Sequence, residues 1–227
     1  ANPRLDLVDL AELGAVADLW DGHGRGVWPI AFSPRAGSTD LLVVHERHGR
    51  SQPLIWDPVA GTEREIDPPM SGETRAWWYP SGEALLVLNQ YRARSELYRI
   101  DLDTAVATLL PTPRGAIDDA EPRPDGTVDY LWSSATAAPR LLTTGASEPL
   151  EAPTPVAARP ALSDLTIAGS AGEIHILVGP SPGGGAPGSG PHPTVFLVHG
   201  GPALQDVDEY SAVRNAWMSA GYVTVQV

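Results

Sequence analysis

Short runs of apolar residues, separated by turns rich in Pro and Gly, dominate the first 160 residues of the chain. They recur with a period of 44 residues, so that HERHGRSQPLIWD at 45–57 aligns with NQYRARSELYRID at 89–101. Each unit begins with a strand that ends in a Pro turn, continues with two strands rich in β-forming residues, and ends with a weaker strand. Four short strands repeated at this period are typical of the blades of a β-propeller.

Residues 4–20, RLDLVDLAELGAVADLW, match only the second half of this unit. Residues 1–160 are therefore predicted to form a partial all-β propeller of about three and a half blades. Because such an assembly cannot close its ring, we expect further blades in a longer polypeptide or a partner that supplies them. An ordinary β-sandwich with coincidental spacing is the alternative.

The pattern changes at about Leu162, where LTIAG, EIHILVG, TVFLV and YVTVQV are predicted strands. A helix is predicted before the last strand, with Asp206 and Glu209 as a capping box and Gly221 at its C-terminal end. Its predicted buried stripe comprises Val207, Tyr210, Val213, Trp217 and Ala220. Residues 161–227 are therefore predicted to be the beginning of a doubly wound α/β domain.

The excess of acidic over basic residues limits the kinds of partner that the chain is expected to bind. The chain has 28 acidic residues against 15 basic ones, all of them Arg, and a net charge of -13. This charge repels phosphate backbones, so we expect no nucleic-acid partner, whereas it favours cationic or amine-bearing ligands. The absence of Cys excludes disulfides, zinc–thiolate sites and thiol nucleophiles.

The hydrophobic segments are too short to span a bilayer, and the longest, Thr194 to Val198, has the length of a buried strand. We expect no membrane association. The first residues, ANPRLDLVDL, lack the basic start and apolar core of a signal peptide, but the half blade indicates that they are not the natural start. A cytoplasmic location is expected. Assembly into a homo-oligomer stays open.

Two catalytic signatures lie close together in GPSPGGGAPGSGPHPTVFLVHGGP at 179–202. The first, GPSPG at 179–183, has the form of the G-x-S-x-G nucleophile elbow. That turn needs a strand before the Ser, a helix after it and a backbone N–H on the next residue, but Pro182 has no N–H. Six of the fifteen residues 179–193 are Gly and five are Pro. Ser181 is therefore interpreted as a residue of a flexible surface loop.

The second signature, HGGP at 199–202, follows an apolar strand and precedes the predicted helix. This is the setting of the loop that supplies one oxyanion N–H in α/β-hydrolases, and paired glycines let the backbone approach a substrate oxygen closely. A plain strand-to-helix turn is the alternative. His199 is interpreted as structural, since the catalytic triad follows the order Ser, acid, His and no usable Ser precedes it.

The segment TVFLVHGGPALQDVDEYSAVRNAWMSAGYVTVQV resembles the start of the catalytic domain of the prolyl oligopeptidase family of serine peptidases, in its acylaminoacyl-peptidase and dipeptidyl- or aminopeptidase-like branch. The resemblance implies a seven-bladed propeller and an α/β-hydrolase domain acting on short peptides or aminoacyl amides. It implies that Gly201 gives an oxyanion-hole N–H. The Ser, Asp and His of the triad would lie outside this chain, so this chain alone is expected to be inactive. No metal or cofactor is expected.

Two other functions stay open at this point. One is a propeller binding module with a non-catalytic, hydrolase-like appendage. The other is a hydrolase of small esters or lipids, which the propeller disfavours. For the serine-peptidase interpretation, the expected partners are the remaining portion of the same enzyme and a short peptide or aminoacyl-amide substrate.

One face of the predicted propeller is expected to look toward the active site, because the chain leaves its last blade there. The adjacent carboxylates of Asp118 and Asp119, in the interblade segment GAIDDAE, are candidates for binding the α-ammonium of a substrate. Solvation of a turn is the alternative role for this pair. Ion pairs with the catalytic domain are expected from the loops that contain Arg47, His48, Arg50, Tyr91, Arg92 and Arg94.

Overall fold

The computed structural model describes residues 3–67, 70–146, 160–170, 172–180, 191–200 and 204–227. The first element is an antiparallel hairpin of two strands, β1 (Leu5–Asp9) and β2 (Gly14–Leu19). It corresponds to the half unit that the repeat predicts at residues 4–20.

Two complete four-stranded units follow, and each is an antiparallel sheet whose neighbouring strands are consecutive in the chain. The first contains β3 (Val27–Phe32), β4 (Leu41–His45), β5 (Gln52–Asp57) and β6 (Thr62–Glu65). The second contains β7 (Glu73–Trp78), β8 (Ala84–Tyr91), β9 (Arg94–Asp101) and β10 (Ala107–Leu110). The inner strand β8 is buried along Ala84–Asn89, because it has a neighbouring strand on each side and packed layers on both faces.

A third unit begins with β11 (Ala116–Pro122), β12 (Val128–Ser134) and β13 (Ala137–Thr143), again in sequential order. The last strand that the repeat predicts for this unit falls within 147–159, outside the described residues. The succession of four-stranded antiparallel meanders confirms the prediction of partial propeller blades.

Equivalent serines join successive blades. In one blade, Thr74 at the start of β7 donates its N–H and its hydroxyl to the Ser51 carbonyl, at 3.2 and 2.7 Å. In the next, Ser95 donates its N–H to Gly115 O at 3.0 Å and accepts the Ile117 N–H through its hydroxyl at 3.0 Å. Ser51 and Ser95 are aligned by the sequence repeat, and each forms hydrogen bonds with the beginning of the next blade, although through different atoms.

The region after residue 160 forms a different sheet. Its elements are β14 (Ser163–Gly169), β15 (Gly172–Gly179), β16 (Thr194–Leu197), α1 (Ala212–Ser219) and β17 (Val223–Gln226). The strand order is β14-β15-β17-β16, with antiparallel pairs except for β16 and β17, which are parallel. A parallel pair requires a crossover, and α1 lies within it. Among the described residues, no helix is long and apolar enough to cross a membrane.

The chain divides into two compact units that do not follow sequence order. The first comprises Ala1–Tyr91, Glu96–Thr112 and Glu121–Asp129. The second comprises Arg92–Ser95, Pro113–Ala120 and Tyr130–Val227, so it contains the mixed sheet together with segments of the second and third blades. The division after residue 160 that the sequence indicates stays a prediction.

Candidate active site

The HGGP loop leaves the sheet at the carboxyl end of β16. Thr194 pairs with Val223 and Leu197 with Gln226, so β16 and β17 run in register and end at the same edge. This edge of an open α/β sheet is where ligands bind, because loops from neighbouring strands converge there. His199 is exposed, and its Nδ1 lies 2.6 Å from Gly200 O, a local hydrogen bond in which the ring donates. Gly201, the predicted oxyanion donor, lies outside the described residues.

The helix after this loop begins later than the sequence indicates. Its N-cap is Ser211, whose hydroxyl accepts the Arg214 N–H at 3.2 Å, so Asp206 and Glu209 do not form the predicted capping box. Gly221 has φ +95, which confirms the left-handed C-terminal residue.

The predicted buried stripe of this helix is wrong. Val213 is 63% exposed and Trp217 is 40% exposed, whereas Arg214, Asn215 and Met218 are buried. The helix is therefore rotated relative to the prediction. Two of the three buried side chains, Arg214 and Asn215, are polar. The spacing of hydrophobic residues cannot predict a helix face that is buried through polar side chains.

Arg214 is a residue of the site that the sequence reasoning missed. Its side chain is fully buried, and it donates to Gln226 Oε1 at 2.8 Å and to the Glu209 carbonyl. Burial lowers the pKa of this guanidinium, although the carboxylates of Asp208 and Glu209 act in the opposite direction. Arg214 thus connects the loop before α1 to the end of β17. The sequence around Arg214 does not predict this role, because an Arg in a helix is usually exposed to solvent.

The two candidate substrate-binding carboxylates lie on a strand rather than in a loop. Asp118 and Asp119 belong to β11, and both side chains are exposed. Asp119 Oδ1 accepts the Ala120 N–H at 2.9 Å. Partial burial raises the pKa of the Glu209 carboxyl, and the negative charges of Asp118 and Asp206 raise it further. The negative charge of Asp118 therefore acts on Glu209, in the segment that precedes α1.

The GPSPG signature begins with a packing glycine. Gly179 ends β15, where a Cβ would clash with the Thr224 hydroxyl and lie 2.9 Å from Met218 Sδ. Close packing therefore accounts for a Gly at position 179, and a nucleophile elbow is not needed to explain it. Ser181 itself lies outside the described residues.

The chain is similar in structure to solved peptidases. No family model and no curated protein matches the sequence. A solved prolyl endopeptidase matches 90% of this chain with a TM-score of 0.70 at 19% identity. A puromycin-hydrolysing peptidase of Mycobacterium tuberculosis matches 98% with a TM-score of 0.68 at 18% identity. Dipeptidyl peptidase 4 of Porphyromonas gingivalis matches 98% with a TM-score of 0.72 at 18% identity.

The chain shares its fold with part of each of these three peptidases. It spans about a third of the length of these three structures, namely 31%, 36% and 34%. The likeness covers 90–98% of the chain, which confirms the predicted fold of partial propeller blades followed by the beginning of an α/β domain.

Two of the arginines that were predicted to form ion pairs with the region after residue 160 do so. Arg94 lies 3.2 Å from both Asp164 and Asp208, and Arg92 lies 3.7 Å from Glu173, all within the second compact unit. These pairs confirm the expectation of ion pairs with residues after 160.

The prediction is wrong for the corresponding loop of the preceding blade. Arg47 pairs with Asp21, Glu63 and Glu65, and Arg50 with Asp67. His48 contacts Glu65 at 3.1 Å. These partners lie on the propeller strands and loops next to the arginines, so the charges are satisfied within the first compact unit.

Proposed function

We propose that this chain is the part of a serine peptidase that carries propeller blades and one wall of the active site, with the Ser-Asp-His triad in the remaining portion of the same enzyme. The substrates are short peptides or aminoacyl amides. The observation that carries the proposal is the HGGP loop at the carboxyl end of β16, in a fold shared with three solved peptidases.

The chemistry that we assign is acyl transfer. The Ser hydroxyl attacks the substrate carbonyl carbon, its proton passes to the His, and the carbonyl oxygen becomes an oxyanion. The N–H of Gly201 and the N–H of the residue after the Ser donate to this oxygen. The His then protonates the leaving amine, and water hydrolyses the acyl-enzyme by the same route. No metal or cofactor takes part in the proposed reaction.

The proposal is tested by comparing this chain with the complete polypeptide that contains it, using aminoacyl- and N-acylaminoacyl-anilides. We expect turnover by the complete polypeptide and none by residues 1–227 alone. The Ser181→Ala variant of the complete polypeptide is the matched control, and it should retain wild-type kcat.

Two outcomes would contradict the proposal. An inactive complete polypeptide that still binds peptides would favour a propeller binding module. Turnover by this chain that is lost in Ser181→Ala would instead assign the nucleophile to GPSPG.

A further inference from the structure

Asp208 lies between the HGGP loop and α1 and is only 7% exposed. Its backbone N–H donates to the Ala93 carbonyl at 2.9 Å, and its Oδ1 accepts the Ala135 N–H at 3.0 Å. Its Oδ2 lies 3.2 Å from Arg94 Nε. One buried residue therefore contacts two separate blade turns, both within the second compact unit.

The first of these turns has an unfavourable backbone. Arg92 and Ala93 connect β8 to β9 with φ of +45 and +63, a region that costs a residue other than Gly about 1–2 kcal/mol. Ala93 is buried in a hydrophobic cluster with Ala135, Leu162 and Leu177. A Gly at position 93 would relieve the backbone but would lose the methyl group from this cluster. Strained turns of this kind persist where the surrounding contacts fix them.

The residues after Asp208 are held in the same way. The Tyr210 N–H donates to Ser133 Oγ at 3.2 Å, next to the β12–β13 turn. Ser211 then caps α1, and Arg214 reaches back to the Glu209 carbonyl. Each residue from 208 to 211 thus forms a hydrogen bond, and Asp208 contributes the carboxylate.

We propose that Asp208 is a positioning residue that couples the loop containing Gly201 to the two blade turns. The inference rests on the proposed function, because it concerns the loop that supplies the oxyanion N–H. In the chain, β16 precedes this loop and Asp208 follows it, and both have the contacts described above. An oxyanion donor must be placed to within a fraction of an ångström, so release of one end lowers the rate of the chemical step more than it weakens substrate binding.

The test uses the complete polypeptide and three variants. Asp208→Ala removes the acceptor for Ala135 and the charge beside Arg94, and it should lower kcat by about tenfold or more with KM changed by less than about threefold. Asp208→Asn keeps an acceptor oxygen for Ala135, so an intermediate loss is expected.

Asp164→Asn is the matched control, because Asp164 pairs with the same guanidinium of Arg94 but is on β14, outside the loop. Its kcat should stay within about twofold of the wild type. Amide hydrogen exchange on the same proteins should show faster exchange at Asp208 and Tyr210 in Asp208→Ala, and wild-type exchange at both positions in Asp164→Asn.

The outcomes separate this inference from the proposed function. An inactive wild-type polypeptide would contradict the proposed function, and the exchange rates would still decide whether Asp208 holds the loop. An active, folded Asp208→Ala variant with wild-type kcat would overturn the inference. If Asp208→Ala does not fold, Asp208→Asn decides, and equal kcat in Asp208→Asn and the wild type is then the contradicting result.

Discussion

Gly179 and Thr224 approach each other so closely across β15 and β17 that no Cβ can be placed on Gly179. The Met218 sulfur lies on the same side, 2.9 Å from that Cβ position. Both neighbours are buried, so neither can move into solvent. We expect Gly179→Ala to lower the free energy of unfolding by about 1–3 kcal/mol, as overpacked cores do.

Chemical denaturation of this chain measures that loss. Gly14→Ala is the control, because a Cβ on Gly14 meets no atom within 4 Å, and its free energy of unfolding should change by less than about 1 kcal/mol. Equal stability of Gly179→Ala and the wild type would show that Gly179 is not a packing glycine.

His45 should make stability depend on pH. Its side chain is 1% exposed, and its Nδ1 accepts the Arg47 N–H at 3.2 Å. Burial lowers the pKa of His45, and the charge of Arg47 lowers it further, whereas Glu65 and Asp21 act in the opposite direction. A His with a lowered folded-state pKa takes up its proton mainly on unfolding. Stability is therefore fully present above the unfolded pKa of about 6.5 and decreases as the pH falls below it.

Urea denaturation between pH 5 and 8 measures this dependence. The slope due to one His cannot exceed about 1.4 kcal/mol per pH unit. His45→Gln should remove most of the decrease below pH 6.5. The same slope in His45→Gln and the wild type would exclude His45 as the cause.

Asp118 and Asp119 are expected to bind the free α-ammonium of a substrate. In the complete polypeptide, Asp118→Asn combined with Asp119→Asn should raise KM for aminoacyl-anilides by roughly three- to tenfold, because two exposed carboxylates each contribute up to about 1 kcal/mol. KM for N-acylated substrates, which carry no ammonium, should not change. Glu83→Gln removes an exposed charge from another blade and serves as the control.

Equal effects of the double variant on both substrate classes would remove Asp118 and Asp119 from substrate recognition. That result would favour an acylaminoacyl- or endopeptidase over an aminopeptidase.

The sequence predicts the elements of this fold better than it predicts which faces they bury. Strands and blade repeats follow from alternating apolar residues and turn chemistry, which are local properties. The helix face does not, because its burial depends on the sheet that packs against it. Val213 and Trp217 look like core residues in the sequence, yet the buried residues of the helix are Arg214, Asn215 and Met218.

The contacts around the candidate site were equally difficult to anticipate. Asp208 meets Ala93 and Ala135, which are distant in sequence and lie on different blades. No periodicity or motif marks such a pair, because only the folded arrangement brings the two turns to one carboxylate. The ion pairs of Arg94 were expected, but its partners Asp164 and Asp208 could not be named from the sequence.

The kcat of the complete polypeptide carrying Gly201→Pro shows whether the HGGP loop supplies an oxyanion donor. This substitution deletes the backbone N–H, whereas Gly201→Ala keeps it and serves as the matched control. We expect kcat to be lower by on the order of 10²-fold in Gly201→Pro, with a smaller change in KM and a much smaller loss of kcat in Gly201→Ala. A folded Gly201→Pro variant with wild-type kcat, or an equal loss in both variants, would contradict it.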